Sequence, residues 1–248
     1  MLRSPIPLAE LDATQRPLRQ ASTLPPACYS SAAFYEFEKE AIFYREWFCV
    51  GRAEQIPEPG DYLRVDIADE PVLVLRDGDG GIRAFSAVCR HRAALVVSDE
   101  RGNCGRNIRC PYHWWTYGFD GRLMGAPAMH ETEGFDRHDV ALPPFQVEVW
   151  NGFVFVNLDA EAAPLAPRLH KFDSIMANYD ASNLVTSRQF HYDAAWNWKP
   201  MIENGTEHYH AVYLHSKFLP MSAAEAHVPD LDPVAESSVI SIVPLPVP

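Results

Sequence analysis

No stretch of the 248-residue chain approaches the roughly twenty consecutive apolar residues of a membrane span, so no transmembrane helix is expected. The opening "MLRSPIPLAELDATQRPLRQ" lacks a continuous apolar region followed by a cleavage site, so no export is expected either. Basic charge is scarce: 21 Lys and Arg stand against 33 Asp and Glu, a formal net charge of -12, and no segregated basic patch is visible. That balance argues against nucleic acid and anionic membrane surfaces as partners, because like charge repels them. Cysteines are few and odd in number (Cys28, Cys49, Cys89, Cys104 and Cys110). They do not suggest a disulfide framework, and a reducing cytoplasm fits better.

With 47% apolar and 22% charged residues, the chain can bury a good core, as one large domain or two modest ones. Residues 1–27 carry five prolines and little periodicity, the composition of a mobile arm or of a strap over a neighbour. From Ser31 the pattern is helical, with Phe34, Phe37, Ala41, Tyr44 and Phe48 on one stripe and Glu36, Lys39 and Glu40 opposite. Phe43 and Trp47 fall on that far side too, so the last turns are either covered or no longer helical. From Asp61 to Asn157 the period becomes two. "YLRVDI", "PVLVLR", "IRAFSAV", "FQVEVW" and "FVFVNL" read as strands, with turns at Asp77-Gly78-Asp79-Gly80-Gly81, Asp120-Gly121 and Asn151-Gly152. Pro164–Tyr179 reads as a helix. The expected class is α+β: an arm over 1–30, an antiparallel β-sandwich with its preceding helix over 31–160, and the start of an α+β domain over 161–248.

The chain is organised around Cys89-Arg90-His91, eighteen further residues, and Cys110-Pro111-Tyr112-His113. A mononuclear zinc site usually takes two sulfurs from one knuckle and two histidines from one helix. Here each end supplies one thiolate and one imidazole. A two-iron cluster uses that mixing, with Cys89 and Cys110 on one iron and His91 and His113 on the other. Replacing two thiolates by neutral imidazoles raises the reduction potential well above that of an all-cysteine cluster. Cys104 reads as a small buried bystander, and His130, His138 and His170 as surface or packing residues.

The words "AFSAVCRHRAALV" and "RCPYHWWTYGFDGRL" resemble the Rieske [2Fe-2S] motif of ring-hydroxylating and related non-haem iron oxygenases. A second segment, "NWKPMIENGTEHYHAVYLH" over residues 197–215, is similar to the mononuclear iron motif of that family. Pro200 suits a first helical turn, after which Glu203, Glu207 and His210 share a face. His215 lies about 140° from His210 on a regular helix, so both reach one metal only if the helix loosens or ends near His215. The resemblance, spanning about residues 28 to 215, implies His210 and His215 as ferrous iron ligands. It implies Asn204 near the iron, and Glu207 as the acidic bridge from a Rieske histidine of one subunit to the iron site of the next. His208 is not expected to be a ligand. The family's third ligand is a downstream carboxylate. Asp230, Asp232 and Glu236 do not match it, and only 33 residues follow His215, so a truncated chain is expected.

By that resemblance the protein is the oxygenase component of a Rieske oxygenase, carrying a [2Fe-2S] cluster and mononuclear Fe(II). It would insert oxygen from O2 into a small organic substrate, by aromatic ring hydroxylation or oxidative demethylation of a quaternary amine. The words from "EKEAIFYREWFCVGR" onward look closest to the branch acting on quaternary amines and phenylpropionate-like acids. Electrons would come from NAD(P)H through a ferredoxin or flavin reductase, within a homotrimer. The alternative is a Rieske electron-transfer module without oxygenase activity, its third iron ligand being absent; a zinc-stabilised binding protein is a further possibility.

Overall fold

The computed structural model describes residues 3–17, 19–206 and 210–215. It separates into two compact units: one built mainly from Glu36–Ala166 and Phe172–Gln189, the other from Ser4–Tyr35, Pro167–Lys171 and the chain from Phe190 onward.

The first unit is antiparallel β throughout. Seven strands form one sheet: β1 (Phe48–Arg52), β2 (Asp61–Ile67), β3 (Glu70–Arg76), β4 (Ile82–Ser86), β5 (Arg101–Asn103), β9 (Pro144–Trp150) and β10 (Phe153–Asn157). Their spatial order is β1-β10-β9-β4-β3-β2-β5. Three short strands, β6 (Ile108–Arg109), β7 (Thr116–Tyr117) and β8 (Leu123–Gly125), make a second sheet in sequence order.

The turns follow from backbone permissiveness. Asn151 and Gly152 take φ of 49° and 80° between Trp150 and Phe153, which pair directly across the hairpin. Two consecutive left-handed residues give the turn whose twist matches its strands, which is why Asn-Gly is favoured there. Between β3 and β4, Asp77 replaces missing backbone partners: its carboxylate accepts the N–H groups of Asp79 and Gly81 at 3.0 and 2.7 Å and the Arg83 Nε–H at 2.6 Å.

β3 carries the architecture because both its faces are buried. Leu73 and Leu75 join Tyr62, Phe85, Ile108, Tyr117 and Leu123 in a core between the two sheets. Val72 and Val74 face the other way, meeting Leu63, Ala84, Val154 and Val156 where the large sheet curls so that β10 returns over β3. A strand buried on both sides reads as a continuous apolar run, and "PVLVLR" does so.

Two details depart from the sequence reading. The helix from Ala32 ends earlier: regular turns stop at Glu38, a π-turn covers Lys39–Phe43, and Phe48 begins β1, pairing with Val156. Lys39 is buried, not exposed, because its ammonium is held by Asp69 at 2.5 Å and Glu36 at 2.7 Å. A helix at Ala166–Met176 lies within the expected span.

In the second unit Ile6 and Cys28 are buried. Short helices at Leu8–Leu11 and Ala27–Ser30 give the proline-rich start ordered structure. Further along, helices cover Lys199–Thr206 and Ala211–Leu214. Among the described residues no helix is long and apolar enough to cross a membrane.

Candidate metal centre

Two six-residue loops lie beside the core between the sheets. In the first, Cys89 N–H donates to Ala94 O at 2.8 Å and Ala93 N–H donates to Cys89 O at 3.1 Å. In the second, Cys110 N–H donates to Trp115 O at 2.9 Å and Trp114 N–H to Cys110 O at 3.1 Å. The fifth residue of each, Ala93 and Trp114, adopts a left-handed φ of 53° and 60°. Two unlike sequences therefore build one loop shape, each opening on a cysteine, with His91 third in one and His113 fourth in the other.

The four residues named from the motif meet as two pairs, sulfur with sulfur and ring with ring, and among the described residues no three His, Cys, Asp or Glu are placed to hold one metal ion. Cys89 and Cys110 are 3% and 1% exposed, and the Cys89 sulfur is near enough to raise the Cys110 thiol pKa. The rings of His91 and His113 meet edge to face with centroids 4.5 Å apart. His91 stacks on Trp115 at 4.8 Å and 9°, whereas His113 reaches the surface against Tyr112 at 3.8 Å.

The donor set suits two metals that each take one pair. His91 Nδ1 is buried with no hydrogen-bond partner. Such an orphaned polar atom costs about 1–3 kcal/mol, and metal ligation would remove that cost. Burial first, then the charges of His113 and Arg92, holds the His91 pKa below its ordinary value. That favours the neutral imidazole a metal requires. Burial pushes the Cys110 thiol up, and so does the Cys89 sulfur, while the backbone N–H groups of Tyr112 and His113 pull the other way.

Tyr117 is an addition that the sequence reading missed. Fully buried on β7, its Oη accepts the Arg90 N–H at 3.1 Å and lies 3.2 Å from Cys89 Sγ. Burial, then the hydrogen bond to Cys89, raises its pKa far above the usual phenol value, so the phenol keeps its proton and can donate it to a sulfur that carries none. Its signal was strand alternation, which points Trp115 and Tyr117 the same way. Cys104 is half-buried against this core, and burial lifts its thiol to about 11. His130, His138 and His170 are exposed.

Residues 89–119 contain Arg90, Arg92, Arg101, Arg106 and Arg109 against Asp99 and Glu100, with Asp120 next.

In the second unit the rings of His210 and His215 lie 5.2 Å apart, edge to face at 78°. The short helix over Ala211–Leu214 starts after His210 and ends before His215, so the two escape the angular separation of a regular helix. Glu203 is engaged elsewhere, accepting the Tyr29 hydroxyl at 2.7 Å. Asn204 is exposed. Glu207 and His208, and Asp230, Asp232 and Glu236, lie outside the described residues. Among the described residues no third His, Cys, Asp or Glu closes a metal site with the histidine pair.

The description "Rieske [2Fe-2S] domain" matches residues 46–145, and "Ring hydroxylating alpha subunit (catalytic domain)" matches residues 181–239. The glycine betaine monooxygenase oxygenase subunit of Chromohalobacter salexigens is 36% identical over 214 residues, covering 85% of this chain and 48% of that protein. The carnitine monooxygenase oxygenase subunit of Acinetobacter pittii is 34% identical over 200 residues, covering 80% and 54%. Among solved structures, the quaternary ammonium Rieske monooxygenase CntA with L-carnitine superposes with a TM-score of 0.76 at 33% identity, over 82% of this chain and 58% of that one. Naphthalene 1,2-dioxygenase from Rhodococcus sp. gives 0.69 at 31%, over 80% and 47%. The chain spans about half the length of the curated relatives it matches.

Proposed function

Because this chain belongs to the Rieske-type ring-hydroxylating oxygenase alpha-subunit family, we propose that it serves as an oxygenase component acting on a quaternary amine. The observation that carries the reading is the pairing of Cys89 with Cys110 and of His91 with His113 on two loops of one shape, with the His91 Nδ1 buried and unpartnered. Cys89 and Cys110 would hold one iron of a [2Fe-2S] cluster and His91 and His113 the other. His210 and His215 would hold ferrous iron, with Glu207 as the link between the two centres across a subunit boundary. When bound, these groups supply one-electron storage and dioxygen binding beside the substrate.

The chain's own residues do the positioning. The paired loop bonds fix both cysteines, Trp115 holds the His91 ring, and Tyr117 directs its hydroxyl at sulfur. The quaternary amine substrate is supported by the betaine and carnitine relatives, with aromatic ring hydroxylation the competing chemistry. A ferredoxin or flavin reductase supplying electrons from NAD(P)H, a homotrimer and a cytoplasmic location complete the proposal.

Iron and acid-labile sulfide analysis of anaerobically purified protein tests it. About three irons and two sulfides per chain, with a rhombic EPR signal after dithionite, are expected. About two irons would make the chain an electron carrier, and zinc without sulfide would overturn both readings.

A further inference from the structure

The helix Lys199–Thr206 runs towards the histidine pair, and its own sequence holds it poorly. Its eight residues are too few to stay helical alone in water, and Asn204, Gly205 and Thr206 are weak helix formers. Tertiary contacts must therefore hold it. A short helix normally docks through its apolar side chains, yet Met201 and Ile202 are 58% and 56% exposed.

The buried side chain is Lys199, which is 7% exposed at the first position of the helix, where the backbone dipole opposes a cation. Aromatic rings offset that placement. The Lys199 Nζ lies 5.1 Å from the Trp198 ring centroid, 5.5 Å from that of Phe34 and 5.6 Å from that of Tyr29, within the range where a ring face attracts a cation. One turn further on, Glu203 accepts the Tyr29 hydroxyl at 2.7 Å, a contact between residues 174 apart in sequence. Tyr29 thus meets two residues of one helix face, the lysine through its ring and the glutamate through its hydroxyl. Burial, then Glu203, lifts the Tyr29 pKa to about 12, so the hydroxyl keeps its proton and donates. Its own support is firm, because the neighbouring Cys28 and the Phe34 ring are both buried. The amino-terminal segment and the helix belong to the same compact unit.

We propose that Tyr29 and Lys199 are positioning residues for the iron site, residues 28–34 acting as a clamp on the helix from which the chain continues to His210 and His215. The proposal rests on the reading of that histidine pair as a metal site. Two imidazoles bind one ion tightly only when the element that carries them is fixed beforehand.

The full chain with its cluster loaded is titrated anaerobically with Fe(II) in a calorimeter, and the double replacement His210→Ala with His215→Ala assigns the heat to the pair. Tyr29→Leu removes ring and hydroxyl, and Lys199→Met keeps the stem but removes the charge. Each should weaken Fe(II) binding about tenfold or more. Tyr29→Phe keeps the ring and should lose only severalfold. Lys199→Arg keeps a cation for the rings and should stay within about threefold of the parent, which a lysine that merely fills space would not predict. Amide hydrogen exchange over residues 199–206 should quicken in the weakened variants and stay unchanged in β3, and the rhombic EPR signal of the cluster should keep its yield.

Unchanged Fe(II) affinity in both Tyr29→Leu and Lys199→Met would overturn the clamp. So would full affinity in Lys199→Met with loss in Lys199→Arg, or loss of the cluster signal together with Fe(II) binding, which marks unfolding of the chain and not release of one helix. A parent that binds Fe(II) no better than the double histidine variant sinks the iron reading itself; a parent that binds it through the pair, with variants that match it, sinks only the clamp.

Discussion

Replacing Tyr117 by phenylalanine removes one oxygen from the buried side of the centre and leaves the ring in place. That oxygen has two partners, the Arg90 N–H at 3.1 Å and Cys89 Sγ at 3.2 Å. Because the Arg90 amide can only donate to it, the hydroxyl proton is free for sulfur. Losing both bonds should destabilise the fold by about 1–3 kcal/mol. A hydrogen bond to a cluster sulfur favours the more negative, reduced state, so its loss should lower the reduction potential. If the reduced state loses about 1–1.5 kcal/mol more than the oxidised one, the one-electron potential falls by about 40–60 mV. Redox titration followed by EPR, on parent and variant with equal iron content, measures the shift, and thermal melting measures the stability. A potential within about 10 mV of the parent at full iron loading would refute the claim that Tyr117 donates to that sulfur.

Gly152 and Gly80 both have left-handed φ, of 80° and 84°, but differ in surroundings. A Cβ at Gly152 would lie 2.8 Å from Arg52 Nη2, which itself donates to Ala181 O and Leu184 O at 2.6 and 2.8 Å; at Gly80 it meets nothing within 4 Å. Gly152→Ala should therefore destabilise by about 2–3 kcal/mol in denaturant unfolding and Gly80→Ala by about 1 kcal/mol, and equal losses would contradict the packing argument. Burial alone would raise the Asp77 pKa, but the Arg83 guanidinium and the N–H groups of Gly81 and Asp79 outweigh it and hold the carboxyl below its usual range. A lowered folded pKa contributes stability that is present above the unfolded value of about 3.9 and lost as pH falls through the folded one. Asp77→Asn should thus cost about 1–2 kcal/mol near neutrality, with Arg83 half exposed and partly screened, and the gap to the parent should close in acid; a gap independent of pH between about 7 and 2 would refute the pairing.

What was legible in the sequence is what a single residue or a short period dictates. Asn151-Gly152 named its hairpin because few dipeptides accept two left-handed residues, and the five long strands announced themselves by alternation or, in β3, by an unbroken apolar run. β1 stayed hidden because Phe48 and its neighbours extend an apolar stripe that suits a helix equally well, and only pairing with β10 decides between them. β6 and β7 are two residues long, too short for any period to register. At the centre the chemistry was readable and the scaffold was not. The motif named four donors by type and spacing, but the loops that hold them depend on backbone bonds from the first residue to the sixth and from the fifth to the first. Such bonds leave one mark in a sequence, a glycine at the left-handed fifth position, and here alanine and tryptophan stand there instead. The missing mark at Ala93 and Trp114 hid the likeness of the two loops. At Trp114 it also concealed strain on a residue whose ring is turned to solvent, 5.5 Å from the Arg109 guanidinium.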